Sequence, residues 1–404
     1  MKRFAVSIIA VLATSLPLAA ADLPEETIGE VVSFAREDHA RLVWVTDMNS
    51  PYQAESRAYL IDPDAGRFLG MLNLGYWTNG MQLPATGNRI VATETHFNRT
   101  TRGHRTDVVV SYDAASLQPL SEIEIPPKRV SSVKMQGTSA LSDDDRFLAQ
   151  MNFTPAQSVS FVNLETGSFI AEVDVPGCGN IYSGGDREFH LLCGDGSFLT
   201  LKVDEDGLVT ERLRSAPLFD PFVDPITISG VRKDDTWYFV TLGGALLELA
   251  MTEEGVSLIR TWPLISDDDK DDDWSIAGFQ HLALHAPSNR LYLLTLQGPP
   301  EAFEDPGTAV WVFDLETQTK IDSFELEEIS ISIALSQDAD PLLYVIGAHI
   351  PMPFLAQLWI YVTEGEAPLA EVVQLGLDIY EADDGTYLRS VPRLGNAPTY
   401  IQPW

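Results

Sequence analysis

Short apolar runs separated by polar turns recur along this chain. Between Ala58 and Asn73 two such runs hinge on a turn carrying Asp62, Pro63, Asp64 and Gly66, the spacing of a β-hairpin. The arrangement returns where Val108–Asp113 turns into Leu120–Ile123 and where Val159–Gly167 turns into Phe169–Val175. Further copies lie at Phe198–Leu213 around Gly207, Leu246–Trp262 around Gly255, Val310–Phe324 around Thr317, and Ile379–Val391 around Gly385. A second motif precedes most copies, a polar turn with a basic or aromatic exit into an apolar strand, as in Asn88-Arg89-Ile90-Val91 and Asn289-Arg290-Leu291-Tyr292. Together the two turns describe a four-stranded antiparallel meander repeated about every 40 to 60 residues, the pattern of propeller blades. Seven such units predict an all-β fold, a seven-bladed β-propeller of four-stranded antiparallel blades. An eighth hairpin-like segment, Gln357–Gln374, reads as an insertion or an extra blade.

A chain of 404 residues would by length suggest two or three domains, but a closed ring needs no linker, and none interrupts the repeat. The expectation is therefore a single propeller domain over 22–404. Residues 1–21 have a basic start at Lys2 and Arg3, a short apolar core to Leu18 and small residues Ala19 to Ala21, the parts of a secretory signal. That core is too short for a membrane span, and no later stretch offers about 20 uninterrupted apolar residues. Export to a bacterial periplasm is the simplest expectation. With 59 acidic against 26 basic residues and a formal charge of −33, nucleic acid is a poor partner, because phosphates would be repelled. Cys178 and Cys193 are the only cysteines, and an oxidising compartment lets them bond. They lack the His neighbours of a zinc site and the Cys-x-x-Cys-His of covalent haem.

Other candidate chemistry is sparse. Of seven histidines only His281 and His285 are closely spaced. In a strand they share a face, but two nitrogens without a third ligand favour a structural role. No nucleophile elbow, phosphate loop or dinucleotide fingerprint stands in a suitable context. The run Asp267–Asp273 invites calcium, yet it lacks the glycine and distal glutamate of an EF-hand loop and reads better as a solvated loop or short helix. The residues alone describe an exported acidic propeller that binds something.

An ordered set of motifs adds to this. Ile61-Asp62 through Gly66-Arg67 and Gly70, Arg102–Asp107, Cys178 with Cys193, Trp274 with Gly278 before Arg290–Tyr292, and Ser336–Asp338 before Pro341–Tyr344 resemble the large (heavy) subunit of the quinoprotein amine dehydrogenases, of methylamine and aromatic amine types. The resemblance runs from about Asp47 to Leu394. Pro126–Val130 and Cys193–Gly196 look more like the aromatic amine branch. The chain departs at 348–375, which looks longer than the family's last-blade region.

The resemblance implies a seven-bladed ring and a division of labour. The tryptophan tryptophylquinone cofactor belongs to a separate small subunit, and the large subunit covers it and shapes the approach, with no catalytic residue, cofactor or metal of its own. The implied reaction is oxidative deamination of a primary amine, arylalkyl in preference to methylamine, to aldehyde and ammonia. Electrons pass to a blue copper protein or a cytochrome c, and two large subunits assemble with two small ones. Tyr52 falls where the family carries a phenylalanine at the mouth of the substrate channel. One extra residue after Asp47 leaves Pro51 as the alternative at that position. The eight tryptophans, among them Trp44, Trp237, Trp311 and Trp359, read as blade packing. A periplasmic propeller scaffold without a catalytic role is the competing reading.

Overall fold

The β-branched and aromatic runs identified above form antiparallel strands in the computed structural model, which describes residues 33, 41–50, 52, 54–78, 80–352 and 372–404. The expected signal at 1–21, Trp359 and most of the eighth hairpin-like segment lie outside the described residues. Five four-stranded blades are discrete sheets. The first orders Pro398–Pro403, Val43–Asp47, Arg57–Asp62 and Arg67–Asn73. The second holds Met81–Gln82, Arg89–Phe97, Arg105–Asp113 and Pro119–Ile125, and the third Ser139–Leu141, Phe147–Asn152, Ser158–Asn163 and Ser168–Asp174. The fourth holds Cys178–Gly184, Glu188–Cys193, Phe198–Val203 and Val209–Arg214, and the fifth Val231–Lys233, Thr236–Val240, Ala245–Thr252 and Gly255–Pro263.

The expectation of seven four-stranded blades needs correction here. The remaining strands, which include the hairpins around Thr317 and Gly385, lie in one eight-stranded sheet rather than in separate blades. Its continuity comes from Thr319–Leu335, a 17-residue strand. The first part of that strand pairs with Gly307–Asp314 and its end, from Ser330, pairs with Leu342–His349. The local sequence permits this run, and strands on either side supply its pairing partners. From Thr319 to Leu335 there is no Gly, Pro or Asn to break pairing, and apolar-polar alternation from Phe324 to Glu327 resumes at Ile329 with only Glu328 between, so the chain can stay extended where a blade boundary was expected.

Each sheet is covered on both faces by its neighbours. Ser158–Asn163 is buried at every position, whereas no position of its outer neighbour Ser168–Asp174 is fully buried. The apolar clusters straddle adjacent sheets. One joins Phe161 to Phe189 and Leu191, another joins Trp44 and Leu60 to Val108 and Val110, and a third joins Val45 and Ile401 to Tyr344 and Ile379. Phe161 and Phe189 meet edge to face at 5.4 Å, a favoured aromatic geometry. The ring closes where the C-terminal Pro398–Pro403 pairs with the N-terminal Val43–Asp47, and Trp404 donates its N–H to the Leu42 carbonyl at 2.8 Å.

Cys178 and Cys193 face each other across neighbouring strands of the fourth sheet and form the disulfide, with Cα atoms 4.0 Å apart. The bond closes a loop with a sequence separation of 15, which in the chain-entropy account is worth roughly 3 kcal/mol. Replacing both with serine is expected to lower the urea midpoint by a comparable stability loss. Equal midpoints for variant and wild type would show that the hairpin needs no cross-link.

Candidate functional site

The meander places its connections alternately at two ends of the ring. At one end they are tight turns, such as 63–66, 164–167 and 204–208; at the other they are longer, including 48–56, 98–104, 126–138, 215–230 and 298–306. Long connections on a rigid scaffold are where binding residues gather, and two buried carboxylates organise this end.

The first is Asp47, at the end of Val43–Asp47. Its oxygens accept from the backbone N–H of Asn49 at 2.7 Å, Asn396 at 3.1 Å and Ala397 at 2.9 Å, and from the Tyr59 hydroxyl at 3.2 Å. Asn49, at a φ of 52°, extends the brace by donating to the Glu55 carbonyl and accepting from Asn396. Gly395 has a φ of 75°, and a Cβ there would lie against the Asp47 carboxylate, so glycine is required on both counts. The connection that carries Tyr52 is thereby tied at its base to the one entering the closing strand. Tyr52 itself is 68% exposed.

The second is Asp107, fully buried in the second sheet. It takes a forked pair of bonds from Arg105, at 2.8 and 2.7 Å, and the Arg129 backbone N–H at 2.9 Å. The Arg129 guanidinium, also buried, donates to Thr95 Oγ1 and to the carbonyls of Tyr76 and Trp77. Burial lowers the Arg129 pKa to about 10, while the Asp107 charge opposes the fall. This network joins Arg102–Asp107 and Pro126–Val130, two stretches distinctive in sequence whose contact the sequence did not show. Arg129 and Asp107 were missed as site-building residues because their partners lie on separate connections.

Beside this network a cavity of about 570 Å³ opens between the third and fourth sheets, lined by Val133, Met151, the Cys178–Cys193 disulfide, Phe219 and Ile226 among others. Tyr52 is not among its lining residues. Phe153, 54% exposed, belongs to that lining, and the lining residues Pro221 and Pro225 flank an exposed apolar pair, Phe222 at 92% and Val223 at 80%, that sequence reasoning did not single out. The only available signal was Asp220-Pro221-Phe222-Val223-Asp224, an apolar pair set inside a turn. A second cavity, of about 290 Å³, is lined by Phe279, His281, Phe303, Tyr400, Lys134 and Glu304, with the Lys134 ammonium 4.9 Å from the Phe279 ring centroid.

The histidine pair does not form a common site. His281 Nε2 meets Thr227 Oγ1 at 2.7 Å, whereas His285 meets Ser288 Oγ and the Asp338 carbonyl. The two rings sit at opposite ends of Leu282–His285. The aspartate run becomes the short helix Asp267–Asp271, where Ser266 and Asp269 form a reciprocal capping box, so its acidic residues serve the helix start. Among the described residues no group of three His, Cys, Asp or Glu side chains is placed to hold a metal ion.

Comparison with known proteins supplies what geometry alone does not. Residues 39–378 match the family model described as methylamine dehydrogenase heavy chain (MADH). The chain is 26% identical over 408 residues to the methylamine dehydrogenase heavy chain of Methylophilus methylotrophus, covering 98% of this chain and 93% of that one. It is 29% identical over 382 residues to the heavy chain of Paracoccus versutus, covering 92% and 81%. Among solved structures, dihydro-heme d1 dehydrogenase NirN superposes with a TM-score of 0.51 at 13% identity, over 94% of this chain and 77% of that one. The β-propeller domain of Myceliophteria thermophila Cps50 (Swd1) does so at 0.50 and 8% identity, over 75% and 93%. At such identities the structural likeness speaks for the fold alone.

His190 and His281 are buried, and burial lowers each imidazole from the ordinary 6.5 to about 4. The unfolded chain therefore takes up these protons at a pH where the folded chain does not. The stability contributed by the neutral rings is present above about pH 6.5 and is lost as pH falls toward 4. Thermal melts across this window are expected to fall more steeply for the wild type than for a His190→Gln/His281→Gln double variant. Parallel curves would refute the assignment.

Proposed function

Since the chain belongs to the methylamine dehydrogenase heavy-chain family, we propose that it acts as the large subunit of an exported amine dehydrogenase whose loop-bearing end covers a tryptophan tryptophylquinone held by a small subunit. The observation that carries the reading is the extent of the match. It spans residues 39–378, through four discrete blades entire, the first blade but for its closing strand Pro398–Pro403, and much of the last sheet, so it reflects most of the ring rather than one repeat.

The described residues fit such a cover. The long-connection end presents exposed aromatic groups at Tyr52, Phe153 and Phe222, which suit contact with a group carried by another chain. When bound on the partner, the quinone takes two electrons and two protons as an amine RCH2NH2 and water become RCHO and NH3. This chain's contribution is to shield the site from bulk solvent and to shape the approach of the amine and of the one water consumed. The Asp47 brace holds the Tyr52 connection in place, and the Asp107–Arg129 network holds the connection at 126–138. Electrons then leave to a blue copper protein or a cytochrome c, and two large subunits pair with two small ones in the periplasm.

An arylalkyl preference rests on Pro126–Val130 and Cys193–Gly196, whereas the named relatives are heavy chains of methylamine dehydrogenases. The choice between these substrates turns on the channel mouth. An apolar pocket discriminates by only about 1 to 3 kcal/mol per methylene, so an aromatic gate ranks amines without taking part in the chemistry.

Purification from the native host is expected to yield this chain with a smaller subunit carrying quinone absorbance, active with a primary amine and a dye acceptor. Recovery of the chain without any quinone-bearing partner would favour the scaffold reading. In the assembled enzyme, Tyr52→Ala is expected to change the ratio of kcat/KM for arylalkyl amines over methylamine several-fold with quinone content intact. Equal loss for both amines, or no loss, would remove Tyr52 from the channel mouth.

A further inference from the structure

We infer that the cavity between the third and fourth sheets, lined by Phe153 and bordered by the turn that carries Phe222 next to the lining residue Pro221, is the socket in which the small subunit anchors. This rests on the proposed function and goes beyond it by naming the contact.

The first observation is chemical. The chain carries 59 acidic residues and a formal charge of −33, yet none of the residues lining this cavity is Asp or Glu. The only charged groups in the lining are Arg105 and Arg129, and Asp107 lies against both. The cavity lining is thus free of acidic side chains, and Asp220 and Asp224 stand in the turn beside it. Depletion of charge at the centre and enrichment in aromatic groups and methionine mark the core of a protein interface.

The second observation is that the turn presenting Phe222 is held rigidly. The Asp220 carboxylate accepts the Phe222 N–H at 2.9 Å, and the Asp220 carbonyl accepts the N–H groups of Val223 and Asp224. Asp224 in turn accepts from the Gly243 N–H at 2.7 Å, and the Leu218 N–H bonds the Gly196 carbonyl at 2.8 Å. At Gly196, with a φ of 81°, a Cβ would lie against the Phe219 carbonyl oxygen, so the approach of the two connections depends on glycine. A turn held at this many points fixes the backbone from which a 92% exposed phenylalanine projects before any partner arrives. Preorganised aromatic anchors beside a desolvated pocket carry most of the binding energy of an interface.

The occupant follows from charge and position. A second copy of this chain would bring −33 against −33, and such like-charge approach is disfavoured. Phe68, Leu120 and Phe169 are also exposed, but they lie on the outermost strands of their sheets, where they face the perimeter. Phe222, Val223 and Phe153 lie instead at the long-connection end, as Tyr52 does, where the quinone-bearing partner is proposed to sit. The small subunit is the occupant, inserting a bulky apolar side chain into the cavity and receiving Phe222 in return.

The test uses the two subunits co-expressed and purified as the complex, with dissociation on dilution followed by analytical ultracentrifugation. Phe222→Asp is expected to weaken large–small association at least tenfold, and Phe222→Leu to restore most of it. The melting temperature of the isolated large subunit stays unchanged, because the ring makes no core contact. Tyr387→Asp, on an outermost strand, serves as the control. A wild-type complex left intact by Phe222→Asp, or weakened equally by Tyr387→Asp, overturns the socket and leaves the proposed function standing. Loss of contact between large subunits alone, with each large–small pair intact, also overturns it. A wild-type chain that binds no small subunit at all overturns the proposed function, and the socket with it.

Discussion

Ring closure is the constraint on which the rest of this structure depends. A sheet whose central strands are apolar on both faces is stable only when another sheet lies against each face. A row of such sheets ends in two exposed apolar faces unless it bends round and meets itself. Here the meeting is made by antiparallel pairing, since Pro398–Pro403 completes the sheet begun by Val43–Asp47. The same sheet then packs Trp44 toward the second sheet and Val45 toward the eight-stranded one. The two chain ends are thereby part of the core.

Closure also decides where function can reside. With the faces of the sheets consumed by packing and the outermost strands on the perimeter, only the two ends of the ring are free to vary. One end has tight turns and the other has the long connections. At that end the same device appears twice. A buried carboxylate, Asp47 or Asp107, accepts backbone N–H groups from a connection distant in sequence, at Asn396 and Ala397 in one case and Arg129 in the other. Charge-assisted bonds of this kind are stronger than neutral ones, and they convert loops into fixed surfaces.

The charge distribution gives those surfaces their character. Acidic residues keep the chain in solution and repel copies of itself. Against that background, a patch lined without acidic groups and crowned by exposed phenylalanines is conspicuous for chemistry rather than for size. Membership of a heavy-chain family supplies a reason for such a patch, because a heavy chain that meets a light-chain partner needs an apolar contact that its own acidic surface does not provide.

The hairpin repeat, the two cysteines and the family motifs were legible in the residues, because period-2 alternation and turn chemistry are local properties of a chain. The antiparallel meander at 58–73 and at 159–175 and the pairing of Cys178 with Cys193 follow from neighbours in sequence. The number of discrete blades did not follow. Whether Thr319–Leu335 breaks or runs on between two hairpins depends on which strands are available to pair with it, and that is settled by the closed ring. The candidate site was only half legible. Arg102–Asp107 and Pro126–Val130 stood out as stretches, but a buried arginine is read from its partners, and those partners are the carbonyls of Tyr76 and Trp77 and the carboxylate of Asp107. Phe222 reads in sequence as one apolar residue among many, and its exposure is a property of the turn that holds it. Local alternation and turn residues determined what the strands are, whereas the approach of distant connections, governed by closure and by buried carboxylates, decided what the ring presents to a partner.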